Sequence, residues 1–128
     1  MTTTSRVIRS LLSKIETFAD LDWQYREWVC CETNPYASST ESMCMLFDSG
    51  KLDDILDRYT EEFDFSEQQY ESLKVFREKL NEYYDDCLYL DDEMIQDPGW
   101  HKVVRKAQDV LEAFKTYDFS VNKEFFFL

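Results

Sequence analysis

The sequence predicts an all-α fold: a compact single-domain bundle of five or six helices with an apolar C-terminal tail packed on it. Three observations predict it. Glycine and proline number only two each in 128 residues, too few punctuators for many short strands joined by tight turns. Apolar residues recur at helical spacing through most of the chain. Capping residues stand ahead of several of those stretches. The length suits one acidic helical domain, residues 1–128, and 44% hydrophobic residues supply a core that needs neither metal nor crosslinks.

Val7, Ile8, Leu11, Leu12, Ile15, Phe18 and Ala19 mark the first helix, with Thr4 or Ser5 available as its N-cap. A second stripe, Leu21, Tyr25, Trp28 and Val29, follows a phase change near Asp20-Leu21-Asp22, so the helix kinks or restarts there. It ends before the loop that starts at Asn34-Pro35. Ser38 and Glu41 then stand at capping-box spacing ahead of a short helix through Met43, Cys44, Met45, Leu46 and Phe47. Gly50 suits the left-handed residue that closes it, and Leu52, Ile55, Leu56, Tyr59 and Phe63 mark the partner helix of a tight hairpin.

Ser66 with Gln69 repeats the capping-box pattern and opens the longest helix, about six turns, with Tyr70, Leu73, Phe76, Leu80, Tyr83, Tyr84, Cys87 and Leu88 along one side. Tyr89 to Gln96 reads as an acidic loop. Asp97-Pro98 then supplies an N-cap and a first-turn proline for the last helix, carried by Trp100, Val103, Val104, Ala107, Val110, Leu111 and Phe114. The tail ends Phe125-Phe126-Phe127-Leu128, which must dock: as a short extended segment over the core, or against a partner or second subunit.

Acids outnumber bases 27 to 14, a formal net charge of −13. The acidity is concentrated in residues 51–97, with 16 acids against 5 bases. On the helix of Leu52 to Phe63, Asp53, Asp54, Asp57 and Glu61 share the arc opposite the apolar residues. On the next, Glu67, Glu71, Glu78, Glu82, Asp85 and Asp86 fall within one outer arc. Like charges at i,i+4 are mildly destabilising, and little in the local sequence neutralises them. Either these acids form a solvated face, or they meet a basic partner and steer its approach. Tyr59, Tyr83 and Tyr89, interleaved with acids, lean toward an interface. The expected contact surface is Asp53, Asp54, Asp57, Glu61, Asp85, Asp86, Tyr89, Asp91, Asp92 and Glu93, centred on Tyr89 to Ile95.

Catalytic chemistry finds no support in the pattern. No Gly-rich loop cradles a phosphate, and no carboxylate pair is marked out from the rest. The single histidine, His101, falls in the first turn of a helix, where a surface or capping role is expected. Cys30, Cys31, Cys44 and Cys87 contain no CxxC pair, so reduced cysteines, mostly buried as small apolar side chains, are expected, with a thiol switch as the lesser alternative. Asp91-Asp92-Glu93 lacks the order of a calcium loop. The expectation is therefore no enzyme, no metal and no cofactor. Direct nucleic-acid binding is disfavoured, because phosphates need basic groups. No membrane span and no secretory signal are evident, which implies a cytoplasmic protein.

In length, lack of export signals, acid-rich helices around Asp53-Asp54-Asp57 and Asp85-Asp86, and interspersed tyrosines, the chain resembles the small acidic immunity proteins of bacteria. These neutralise toxins delivered by neighbouring cells, including those of contact-dependent growth inhibition systems. The resemblance implies a tight one-to-one complex with a toxin domain, often a basic nuclease, whose active or substrate-binding site is covered. Two other readings stand beside it: an adaptor or subunit of a larger assembly, and a DNA-mimic anti-nuclease protein.

Overall fold

The helices begin where short polar side chains satisfy the free N–H groups of a first turn. The computed structural model describes residues 2–57, 61–86, 89–120 and 124–125. Helix α1 (Thr4–Phe18) starts at Thr3, whose hydroxyl accepts the Arg6 N–H, one residue earlier than the expected Thr4 or Ser5. Thr4 is instead a buried residue of the first turn. Helix α2 (Leu21–Gln24) restarts at Asp20, whose carboxylate accepts the Trp23 N–H, and continues as a π turn over Tyr25–Val29. Helix α3 (Ser39–Phe47) is capped by Ser38, and α4 (Leu52–Asp57) follows it.

Helix α5 (Glu67–Asp86) opens on the expected reciprocal box: Gln69 N–H donates to the Ser66 hydroxyl, and Ser66 N–H donates to the Gln69 side chain. Helix α7 (Pro98–Ala113) opens on Asp97 with Pro98 in its first turn. Between them, the stretch expected to be a loop holds a one-turn helix, α6 (Asp91–Met94), because Met94 turns into the core and is 1% exposed. Single 3-10 turns cover Glu61–Phe63 and Phe114–Thr116. Counting α2 and its π turn as one, six helices among the described residues exceed a single turn, so the chain is an all-α single domain as expected.

Helix α7 is the hub, packing on α5 and on α1, while α3 lies on α1 and α4 on α5. At the centre the Phe18 ring meets Trp28, Phe76 and Trp100 edge-on at 6.0–6.3 Å. Such pairs each add about 0.5–1.5 kcal/mol to the burial itself. The polar groups caught in this core are satisfied: the Trp100 indole N–H donates to Gln24 Oε1 at 2.8 Å, and Gln24 Nε2 donates to the Thr17 carbonyl.

The N-terminal strand β1 (Thr2–Thr3) pairs antiparallel with β2 (Glu124–Phe125), so the tail docks on the body by backbone pairing at this point. The side chains of Phe125 to Leu128 lie outside the described residues, as do Tyr59, Cys87 and Leu88.

Three sequence expectations are corrected. Tyr25, placed on the inner stripe of α2, is 52% exposed, and Gln24 takes its place at 0%. The π turn is the reason: its wider coil, closed by Cys30 N–H donating to the Tyr25 carbonyl, brings Gln24, Glu27 and Trp28 inward. As expected, the second helix ends before Asn34-Pro35: its last residue is Val29, and the chain leaves helical geometry through left-handed Cys31 (φ 53°). The described cysteines are free but not buried: Cys30 and Cys31, on that turn, are exposed and half-buried, and Cys44, on α3, is exposed. The left-handed residue after α3 is Lys51 (φ 58°), not Gly50.

Gly50 has a steric role instead, since a Cβ there would stand 2.4 Å from the Leu46 carbonyl oxygen. That contact is with backbone and cannot be relieved by a rotamer change. Gly50→Ala should therefore cost about 1–3 kcal/mol, read as a lowered denaturation midpoint with unchanged slope. A midpoint equal to the parent's would show that the α3–α4 turn is not packed this tightly.

Candidate functional site

The expected contact surface divides in two. On α4, Asp53 and Asp57 are exposed and Asp54 is half-buried. The cation that meets them is not local: Arg77 of α5 donates to Asp57 at 2.9 Å and to Asp53 at 3.4 Å. Partial burial opposes the charge of Arg77, but the two carboxylates outweigh it and hold the guanidinium above its ordinary pKa. The cation comes from 20 and 24 residues along the chain, which no i,i+4 inspection can find. The side chains of Glu61 and Asp86 lie outside the described residues.

The second part forms a groove of about 550 Å³ where four elements meet: the π turn, the start of α3, the end of α5 and α6. Trp28 floors it, and Tyr84, Tyr89 and Leu90 line it together with Asp91 and Asp92. Tyr89 and Leu90 are 53% and 71% exposed, uncommon for large apolar side chains side by side in a monomer. Asp85, Asp92 and Glu93 are exposed and, among the described residues, form no ion pair. Outside the groove, Glu67, Glu71, Glu78 and Glu82 are exposed on α5, where Lys79 pairs with Glu82.

Asp91 does not belong to the free acidic surface. Its carboxylate accepts the Ser39 N–H at 3.1 Å and the Ser39 hydroxyl at 2.5 Å, so α6 caps the N-terminus of α3. Thr40 and Tyr84 join their hydroxyls across the same groove at 2.6 Å. Asp91→Ala should lower stability by about 1–2 kcal/mol through loss of this cap, with Asp91→Asn losing less. Equal melting temperatures for all three proteins would show that α6 is not fastened there.

Tyr83, counted among the interface tyrosines, belongs to the core margin: its hydroxyl donates to Asp97 at 2.6 Å and its ring lies 5.4 Å from that of Trp100. Sequence reasoning missed Tyr84, Thr40 and Trp28 as groove residues, and it placed Leu90 within the expected centre without naming it a contact residue. Leu90 carried a signal, an apolar residue directly between Tyr89 and two aspartates. Thr40 and Tyr84 carried none, being 44 residues apart.

His101 is exposed and its Nε2 lies 2.7 Å from the Ile95 carbonyl, a cap on the turn that follows α6. The Tyr25 phenol is pushed above its ordinary value by its hydrogen bond to Cys30 and the charge there, and Tyr117 is pushed up by burial and then by Asp64 and Asp118. Among the described residues, no group of three or more His, Cys, Asp or Glu side chains could hold a metal ion, and no helix is long and apolar enough to cross a membrane. Chemically, the groove offers aromatic contact area and negative charge, a combination for binding. Comparisons with protein-family models, with curated proteins and with solved structures find no match to this chain.

Proposed function

We propose that the chain is a stoichiometric protein-binding inhibitor of the immunity-protein kind, which covers the active or substrate-binding site of a basic toxin domain. A nuclease is the best electrostatic match, since its site is built to receive phosphates. One observation carries the reading: Tyr89 and Leu90 stand exposed at a groove that Asp92 also lines, and Asp85, Asp92 and Glu93 are exposed with no cation partner among the described residues. Apolar anchors surrounded by charge match the anatomy of specific interfaces, in which a few large side chains are buried and a polar rim selects the partner.

The test begins with a capture experiment in the native host. The immobilised chain should retain one basic protein in a one-to-one complex, inhibit whatever activity that protein has, and lose it on Leu90→Ser. The 71% exposure of Leu90 makes that variant safe for the fold. A partner retained undiminished by Leu90→Ser and Tyr89→Ala, but released by neutralising the α5 glutamates alone, would turn the reading toward a nucleic-acid mimic. Turnover of a small-molecule substrate by the purified chain would overturn it.

A further inference from the structure

A second cavity, of about 250 Å³, is walled by Trp23 and Glu27 of α2 and its π turn, by Thr33 and Ala37 of the following loop, and by Glu41 and Met45 of α3. Pockets for drug-sized ligands span roughly 300–1,000 Å³, so this one suits a group the size of a single side chain. Its unusual member is Glu27, a carboxylate only 4% exposed. The π turn places it there, and such turns recur at functional sites. Oε1 accepts the Thr33 N–H at 3.3 Å and also the Thr33 hydroxyl. Among the described residues, Oε2 receives no hydrogen bond. No fully enclosed side-chain oxygen among the described residues lacks a partner, so Oε2 is not fully enclosed, and the cavity is the space that Glu27 lines.

A carboxylate so far from water is costly unless a cation or further donors meet it. Among the described residues no lysine or arginine forms an ion pair with it. Lys14 also borders the cavity, so the three charged side chains around it, Glu27, Glu41 and Lys14, leave one net negative charge. The wall opposite in character is the Trp23 indole, a surface on which a flat cation can stack.

We propose that this cavity binds an alkylguanidinium group, with Glu27 Oε2 as its anionic partner and Trp23 as the wall for its flat face. A guanidinium suits the site better than an ammonium because it is planar, weakly hydrated and presents several N–H donors in a fork to carboxylate acceptors. Two sources share this chemistry: a free small guanidinium compound, and an arginine side chain of another polypeptide. The exposed Tyr89–Leu90 surface takes no part, so the cavity stands or falls without the docking partner.

The test uses the intact chain and the backbone and indole N–H signals of its magnetic resonance spectrum. Of its three tryptophans, Trp100 serves as an internal control, since its N–H is held by buried Gln24. Ethylguanidinium should shift the Trp23 signal saturably, and ethylurea, neutral and of similar shape, should not. Glu27→Gln keeps an Oε1 acceptor for Thr33 and should weaken binding roughly tenfold or more. Lys14→Met, which removes the competing cation, should tighten it several-fold, and that variant carries the test should Glu27→Gln fail to fold. A blocked Gly-Arg-Gly peptide that binds as well as ethylguanidinium assigns the cavity to a polypeptide arginine; exclusion of the peptide, with ethylguanidinium still bound, assigns it to a free compound. Equal shifts from ethylurea, no shift from ethylguanidinium, or binding indifferent to both substitutions would each overturn the proposal.

Discussion

Replacing Trp100 by alanine should destabilise the domain by about 3–5 kcal/mol, the largest effect expected of any single substitution in its core. The ring is wholly buried and lies within 5.4–6.3 Å of the Tyr83, Trp28 and Phe18 rings, so its loss leaves a cavity walled by rigid aromatic groups that cannot collapse far. Its N–H also supplies the donor for Gln24 Oε1, and Gln24 in turn holds the Thr17 carbonyl at the break between α1 and α2. One side chain thus ties α7 to that joint. Against a total stability of about 5–15 kcal/mol, the loss should lower the melting temperature by at least roughly 10 °C. Trp100→Phe separates the two contributions: it keeps much of the packing, leaves the buried Gln24 oxygen without its donor, and should cost about 1–3 kcal/mol. A Trp100→Ala protein that melts within a few degrees of the parent would mean that this ring is not the centre of the core.

The helices were legible where one physical rule acted alone. Ser66 with Gln69 and Asp97 with Pro98 announce helix starts because the groups that satisfy a first turn are local in sequence. The stripes on α1 and α7 read cleanly because an uninterrupted helix has a fixed period. The period failed at Tyr25, where a π turn shifts the phase and nothing in the residue types announces it. It failed again at α6, a helix too short to show a period, fastened through Asp91 to Ser39 across 52 residues.

The contact surface was legible in part, for the same reason. Acid at Asp85, Asp92 and Glu93 and the exposure of Tyr89 follow from local pattern. The Arg77 bridge to Asp53 and Asp57, the capping duty of Asp91 and the burial of Glu27 are tertiary facts, each depending on an element far along the chain or on a change of helical phase. The effect is to move the free negative charge away from α4 and toward the α5–α6 end, where exposed Tyr89 and Leu90 also lie.

That shift makes the last prediction sharper than the sequence alone allowed. With a captured partner in hand, changing Asp85 and Asp92 to Asn and Glu93 to Gln should slow association about tenfold at low ionic strength while leaving dissociation nearly unchanged, because long-range attraction acts on the approach. Asp53→Asn with Asp57→Asn should slow it much less, since Arg77 already offsets that pair. Tyr89→Ala and Leu90→Ser should do the reverse: anchors are buried only after docking, so their loss should raise the dissociation rate by roughly 30-fold, the equivalent of about 2 kcal/mol, with association little altered. Salt offers an independent check, because the screening length falls to about 8 Å at physiological ionic strength and the tenfold difference in association should shrink accordingly. Stopped-flow measurement at two salt concentrations reads all of these quantities. An association rate indifferent to salt and to the Asp85, Asp92 and Glu93 changes would reject electrostatic steering. A dissociation rate indifferent to Tyr89 and Leu90 would reject the groove as the place where the partner is held.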